Sequence, residues 1–368
     1  MVAPADRPLV IAGAGPVGLA LAVEAVRRGM NVRIVDRGEG PTSIDESRAL
    51  AVMPTTLAVL KSSGVTDRLV AEGQPIRRVR ISWAGRPAVE FSLDAADTPT
   101  PFILSLPQGR TERALIDWLS ERGVDVEWGV SLTGLEDTRA PTAILSTGER
   151  IASHALAGCD GVHSAVRRLL DVPWLGDRYP TKFALADVRL KTPIDADHIR
   201  LSLGGPAGTR AILPFGPDFG RLIGVIDEPE ALLKDRDDVA SVGWTSSFEV
   251  AFHRAERMAR GMVFLAGDAA HEHSPVGGRG MNLGIWDAAW LAFLLSEGRA
   301  SEYEMRRMPS VKKVLEQTRS MTDTISDPPG WLGAALRFGL PAALKFPAVR
   351  KRIATRLLAL DLPQPEWL

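Results

Sequence analysis

Short apolar runs and helically spaced apolar positions alternate at the start of the chain. Residues 8 to 13 form an apolar run ending at glycine, and residues 16 to 28 carry apolar positions spaced as on a buried helix. Strand, turn and helix follow from this pattern. A second strand over residues 31 to 35 ends at Asp36 and completes a β-α-β unit. Later, Ala114, Leu115, Trp118 and Leu119 share one face of a helix predicted over residues 111 to 122, which Gly123 is placed to end. Val124, Val126, Trp128 and Val130 then alternate with Asp125, Glu127 and Gly129, as in a half-buried strand.

Residues 143 to 158 read as a hairpin turning near Thr147 and Gly148. The character changes between about residues 176 and 253. There the segments 182–191 and 210–226 are strand-like, and the turn-rich run from Pro214 to Gly220 suggests an antiparallel sheet. From residue 263 an apolar strand enters a glycine-rich loop and then a long helix over about 281 to 295. The tail after Ala300 is helical by pattern and broken at Pro328, Pro329, Pro341 and Pro347. The fold expected is α/β, with three parts. Residues 1–72, 103–175 and 254–300 form a discontinuous Rossmann-like domain, residues 73–102 and 176–253 an inserted, mainly antiparallel β-sheet substrate domain, and residues 301–368 a helical C-terminal segment.

Composition narrows the partners. The chain has 368 residues, 45% hydrophobic and 24% charged, enough to bury more than one core. Lys and Arg total 44 against 45 Asp and Glu, so no charge excess draws it to nucleic acid or anionic lipid. A small-molecule partner is the expectation. The single cysteine, Cys159, excludes an intramolecular disulfide and any multi-cysteine metal site, and it reads as a buried small hydrophobe; no metal is expected. No apolar run reaches the ~18 residues of a membrane span, and the opening run 9–15 lacks the basic flank of a leader. A cytoplasmic protein, monomer or homodimer, is expected.

Two loops carry the candidate chemistry. Gly13-Ala14-Gly15-Pro16-Val17-Gly18 fits the dinucleotide fingerprint and lies between a strand and a helix, as the mechanism demands. Gly13 permits the turn, Gly15 lets a pyrophosphate approach and Gly18 lets helix and strand pack closely, while the helix N-terminus offers free N–H groups. Asp36, with Arg37 beside it, ends the second strand, where a carboxylate accepts from an adenosine ribose. The fingerprint alone does not separate FAD from NAD. The second loop runs from Gly267 and Asp268 through Pro275, Gly277, Gly278, Arg279 and Gly280 into a helix beginning Met281-Asn282. Its glycines leave backbone open to a flat ligand, and a helix start suits a flavin pyrimidine edge that becomes anionic on reduction.

These loops, together with the Gly158-Cys159-Asp160-Gly161 segment that runs on to Arg167, resemble the class A flavoprotein aromatic hydroxylases, the para-hydroxybenzoate hydroxylase family. Glu46-Ser47-Arg48-Ala49-Leu50 resembles the family segment whose arginine approaches flavin and pyridine nucleotide. Leu106 to Glu112 resembles the stretch whose glutamine, here Gln108, contacts FAD. The resemblance implies that the Rossmann-like domain binds FAD, that NADPH or NADH reduces it, and that O2 adds to the flavin at C4a. The resulting hydroperoxide then hydroxylates an aromatic or polyketide-like small molecule. The expected cofactor set is Gly13, Gly15, Pro16, Val17, Gly18, Asp36, Arg37, Arg48, Gln108, Val130, Asp160, Gly267, Asp268, Pro275, Gly278, Gly280, Met281 and Asn282. Arg48, Pro275 and Arg279 carry the expected catalytic roles, with Arg279 adding positive charge at the reduced flavin.

Other readings stay open at this point. A flavin dehydrogenase or halogenase-like enzyme would keep FAD without oxygen insertion, although the Trp-x-Trp-x-Ile-Pro stretch of flavin halogenases is absent. A non-catalytic FAD-binding protein would keep the fold alone. Epoxidation and Baeyer–Villiger insertion are variants of the same peroxide chemistry, and the sequence does not separate them from hydroxylation. The substrate pocket is expected to draw on Met53, Phe183, Leu203, Ile212, Leu213 and Phe215, each of which core packing explains as well. His271 and His273 read as packing residues rather than bases, and neither Tyr179 nor Tyr303 can be placed beside a substrate phenol.

Overall fold

The structure, a computed structural model, describes residues 7–43, 49–204, 208–234 and 236–368. Strand β1 (Leu9–Ala12), helix α1 (Pro16–Arg27) and strand β2 (Val32–Asp36) form the opening unit, where the sequence pattern places it. β1 is the centre of a six-stranded sheet. On one side it pairs in parallel with Ala155–Gly158, which pairs in turn with Val263–Leu265; on the other it pairs with β2, which pairs with Val126–Trp128. The short strand Ala259–Arg260 closes one edge in antiparallel fashion. The three central strands are fully apolar and buried, as strands covered on both faces must be.

Three distant segments therefore end their strands along one edge. Gly13 follows β1, Cys159-Asp160 follows Ala155–Gly158, and Ala266-Gly267-Asp268 follows Val263–Leu265. Open parallel sheets bind ligands at this carboxyl edge. Helices α1 and Gly280–Ser296 pack closely behind it. A Cβ on Gly284 would meet Val17 at 2.5 Å and the Gly267 backbone at 2.9 Å, so glycine permits the approach.

The second sheet has eight strands. In order they are His271–Glu272, Val239–Ala255, Trp174–Leu190, Phe219–Val225, Arg210–Pro214, His198–Leu203, Arg78–Trp83 and Arg86–Ser92. Its first strand leaves the Gly267–Ala269 turn directly, so the two sheets share one loop. Alternation gives the sheet two faces. Phe183, Leu185 and Asp187 lie opposite Val225, Ile223 and Arg221. On that face Phe183, Val250 and Phe252 pack with Val276 and Ile325, which makes it the inner face. Ala184, Ala186, Ile212, Leu222 and Leu232 form a separate cluster on the outer face.

After the strand Phe219–Val225 come one helical turn, Glu230–Leu233, and the strand Val239–Ala255. Residues 240–243 at the beginning of that strand are exposed. Past Ala300, helix Tyr303–Ser326 stops before Pro328, as expected, and shorter helical segments follow to Leu357. They cover the inner face of the sheet. Leu336 packs with Val89 and Leu203, and Gly333 stands so near Trp83 that a Cβ would meet its ring at 2.5 Å. Among the described residues no helix is long and apolar enough to cross a membrane, and no group of side chains could hold a metal ion.

Candidate active site

The first loop is built by glycine contacts. Gly13 has φ +106°, and a Cβ there would meet the Cys159 carbonyl at 2.3 Å. A Cβ on Gly18 would meet the Gly13 carbonyl at 1.9 Å, so this glycine lets helix and loop touch. Gly15 is different: nothing lies within 4 Å of a Cβ there. Gly13 and Gly18 serve packing, whereas Gly15 faces open space at the start of α1, whose N-terminus has Pro16 in the first turn and no side-chain cap. Asp36 steadies the loop. Its Oδ2 accepts from Ala14 N–H at 2.7 Å and its Oδ1 from Gly38 N–H at 2.7 Å. Arg37 beside it is exposed, and Val130 N–H donates to the Asp36 carbonyl at 2.9 Å.

Asp160 lies at the end of the next strand. Its Oδ2 accepts from Ala165 N–H at 2.6 Å, capping the helix Ala165–Leu169, while its Oδ1 is buried without a hydrogen-bond partner among the described residues. An unpaired buried acceptor at a ligand edge is available to a ligand hydroxyl. Gln108 opens the helix Gln108–Ser120; it accepts from Ala49 N–H at 3.3 Å and donates to Glu112 at 2.8 Å.

The second loop presents its ligand side outward. Asp268 is exposed although residues 263–267 and 269–271 are buried, and Pro275 and Gly277 are exposed beside the buried Ser274 and Arg279. Gly278 takes φ +62°, with Ala51 2.8 Å from where a Cβ would stand. Helix Gly280–Ser296 begins there without a side-chain cap, so its first-turn N–H groups remain directed at the loop. Beneath, the fully buried Asp287 accepts from Gly267 N–H at 3.2 Å, His271 Nε2–H at 2.6 Å and Arg307 Nε–H at 2.8 Å. Burial would raise its carboxyl, but Arg307 and His271 outweigh burial and hold it below the ordinary value. Sequence reading missed this anchor, because its three partners are scattered along the chain.

Two expected roles change. Asn282 accepts at Oδ1 from Met53 N–H (2.8 Å) and Thr56 Oγ1–H (2.7 Å), and donates from Nδ2 to the Ala51 and Gly278 carbonyls (2.7 Å each). Its amide is filled by protein partners, so it shapes the loop rather than touching a ligand through that amide. Arg279 was expected to lend charge to the flavin. Its guanidinium instead enters the C-terminal segment, donating to Gln317 Oε1 at 2.7 Å, the Arg356 carbonyl at 2.6 Å and Asp361 Oδ1 at 3.2 Å. Arg48, with the rest of its 44–48 segment, lies outside the described residues.

The six expected pocket residues do not share one cavity. Phe183 and Leu203 are buried on the inner face, and Leu213 alternates onto that face opposite Arg221. Phe215 packs on Phe219 at the turn, 5.0 Å between ring centroids. Ile212 belongs to the outer face, because neighbours on a strand point to opposite sides, and Met53 is covered by Ala354 and Leu358. Unforeseen on the inner face is a buried pair, Arg221 Nε–H to Asp187 Oδ1 at 2.6 Å, with Trp244 against the guanidinium. Tyr303 is structural: its hydroxyl donates to the Leu265 carbonyl at 2.9 Å. Tyr179 donates to Asp323, and burial with that carboxylate pushes its phenol up to about 12, so it stays protonated. Burial, then neighbouring His271, pulls His273 down to about 4.

The donor set fits FAD. Gly15 leaves room for a pyrophosphate, two uncapped helix starts face one sheet edge, and acidic side chains stand at both ends for hydroxyls. Comparison agrees. The FAD binding domain family matches residues 6–215 and 225–318. The 6-methylpretetramide 4-monooxygenase of Streptomyces rimosus is 35% identical over 96% of this chain and 69% of its own length, and a rifampicin monooxygenase of Rhodococcus hoagii is 29% identical over 96% and 78%. The solved anhydrotetracycline hydroxylase of Streptomyces rimosus superposes with a TM-score of 0.75 at 29% identity, covering 98% of this chain and 77% of that one. The p-nitrophenol 4-monooxygenase of Pseudomonas putida shares the fold with a TM-score of 0.85 at 21% identity, covering 98% and 99%. With that match and those relatives, the chain belongs to the FAD binding domain family, among its class A monooxygenases, and is an FAD-dependent oxidoreductase driven by NADPH or NADH.

Proposed function

We propose that this enzyme hydroxylates a polycyclic aromatic, polyketide-like substrate held between the inner face of the antiparallel sheet and the loop Ser274–Gly280. The observation that carries this reading is the packing of Val276, one residue past Pro275, against Phe183, Val250 and Phe252 of that face. It puts the flavin loop against an apolar wall suited to a flat apolar body. The names of the tetracycline-type relatives support the same class. In this reading FAD is held by Gly13, Gly15, Pro16, Val17 and Gly18 at its pyrophosphate, by Asp36 and Arg37 at its adenosine ribose, and by Gln108, Val130, Asp160, Gly267, Asp268 and the 275–282 loop along its remaining length. Arg48 would meet the nicotinamide. Bound FAD, once reduced, supplies the transfer of one oxygen atom from O2 to the substrate.

The protein's own part is position and dryness. Asp287 fixes the Gly267-Asp268 turn through the Gly267 N–H, Asn282 ties the loop to Ala51 and Met53, and Pro275 covers one side of the reacting ring. Among the described residues of the inner face, the Tyr179 phenol keeps its proton and the Asp187 carboxylate is held by the Arg221 guanidinium. The enzyme is read as cytosolic, with its three parts divided as the sequence suggests. Substrate-stimulated NADPH oxidation tests the substrate class. Anhydrotetracycline should accelerate consumption and gain one oxygen by mass, and pentachlorophenol should not; the reverse order would overturn the polycyclic reading.

A further inference from the structure

The monooxygenase site uses the inner face of the antiparallel sheet. The outer face carries a second concentration of chemistry. Arg80 and Arg200 stand level on neighbouring parallel strands, and Arg210 sits level with Ser202 on the next strand, so three arginines occupy adjoining places on one side of the sheet. Beside them lies a cavity of about 390 Å3 floored by Leu190, Ile212, Leu222 and Leu232 and rimmed by Arg236.

Like charges directly opposite on a sheet repel, so the cluster needs compensation. Part of it is present. Arg80 pairs with Glu90 at 2.7 Å, Arg200 reaches Asp195 at 3.5 Å, and Arg236 is closed by Asp238 at 2.7 Å. Arg210 has no carboxylate within ion-pair reach among the described residues; its guanidinium donates to the Ala231 carbonyl at 3.1 Å. Among the described residues the Nε–H groups of both Arg200 and Arg210 are buried without a partner, although the Arg200 side chain keeps 36% of its surface exposed. Buried unpaired donors are rare in folded proteins and are satisfied readily by an anion, for which guanidinium is the matched shape. The leucines and isoleucine of the floor ask for an apolar body on the same molecule.

We propose that this outer cavity is a second small-molecule site, for an amphiphilic anion whose carboxylate, sulfonate or phosphate pairs with Arg200 and Arg210 while its apolar part covers Ile212, Leu222 and Leu232. The site shares strands with the monooxygenase pocket, but Arg200, Arg210 and Ile212 lie on the outer face, opposite Phe183 and Leu213 of the inner one. It is independent of which substrate the inner face accepts.

The test uses the FAD-loaded protein, so that the flavin site is filled, and anilinonaphthalene sulfonate as the probe. The expected result is saturable fluorescence that decanoate competes away and inorganic phosphate at equal concentration does not. Arg200→Gln and Arg210→Gln should each weaken the probe about tenfold, the loss of one charge-assisted contact, with flavin content and melting temperature unchanged. Arg236→Gln, whose guanidinium is already closed by Asp238, should change it little. In the unmodified protein, decanoate should protect Arg200 and Arg210 from phenylglyoxal, which keeps the proposal testable if a variant does not fold. Probe affinity unchanged from the unmodified protein in both variants, displacement by anhydrotetracycline or by phosphate alone, or absence of protection would each overturn it.

Discussion

Asp361 reaches back 82 residues to Arg279, with its Oδ1 3.2 Å from the guanidinium. Arg279 is the residue before the helix Gly280–Ser296, and its side chain is 4% exposed. The end of the chain is thereby tied to the flavin loop. Removing the carboxylate leaves a buried guanidinium with less compensation, so Asp361→Ala should cost about 1–3 kcal/mol. Chemical denaturation reads this directly. Arg279→Gln should lose comparable stability while its bound flavin is still reduced by NADPH at the original rate. A stable Arg279→Gln protein with slow reduction would return the arginine to an electrostatic role at the flavin.

The two glycines flanking the phosphate turn should fail differently. Gly15→Val adds atoms to open space, so the flavin-free protein should melt as before and no longer retain FAD after gel filtration. Gly18→Ala drives a methyl group into the Gly13 carbonyl and should cost about 1–3 kcal/mol in the flavin-free state. A Gly15→Val protein that stays fully yellow would remove that turn from the binding site.

Asn282 makes four hydrogen bonds from one buried amide. Asn282→Asp keeps the two acceptor contacts and turns the other two into an oxygen facing the Ala51 and Gly278 carbonyls. Loss of about 2–4 kcal/mol and weaker FAD retention are expected. Denaturation and flavin occupancy check the pair of effects; an unchanged protein would mean that the amide does not hold the loop.

His273 carries a pH signature. Its folded value, about 4, lies below the ordinary 6.5, so the unfolded chain binds the extra proton in between. Stability must then fall as pH drops from 6.5 towards 4 and stay flat from this group above 6.5. His273→Gln should remove about 1–3 kcal/mol of that loss. Melting curves across this window compare the two proteins; parallel pH dependence would show that the ring is not kept neutral by burial.

The legible parts of this protein are those whose cause is local. The turn at residues 13–18 needs glycines at fixed offsets, and the 267–282 loop announces itself between an apolar strand and a helix. What sequence hid depends on distant partners. Nothing near Arg279 signals that Gln317, Arg356 and Asp361 will claim it. Met53 looks like a pocket residue until the helix carrying Ala354 covers it. Ile212 and Leu213 are a different case, since alternation already separates them by face, and the inner side is decided by where Val276 lands. The Asp187–Arg221 pair and the outer arginines emerge only when strand register is known.

The central claim is that FAD lies along the carboxyl edge of the parallel sheet. The most direct measurement is the visible absorbance of the purified protein after incubation with FAD and gel filtration, read beside Gly15→Val. A yellow protein with one flavin per chain and a colourless variant is the expected result. A folded protein that stays colourless with added FAD would contradict it.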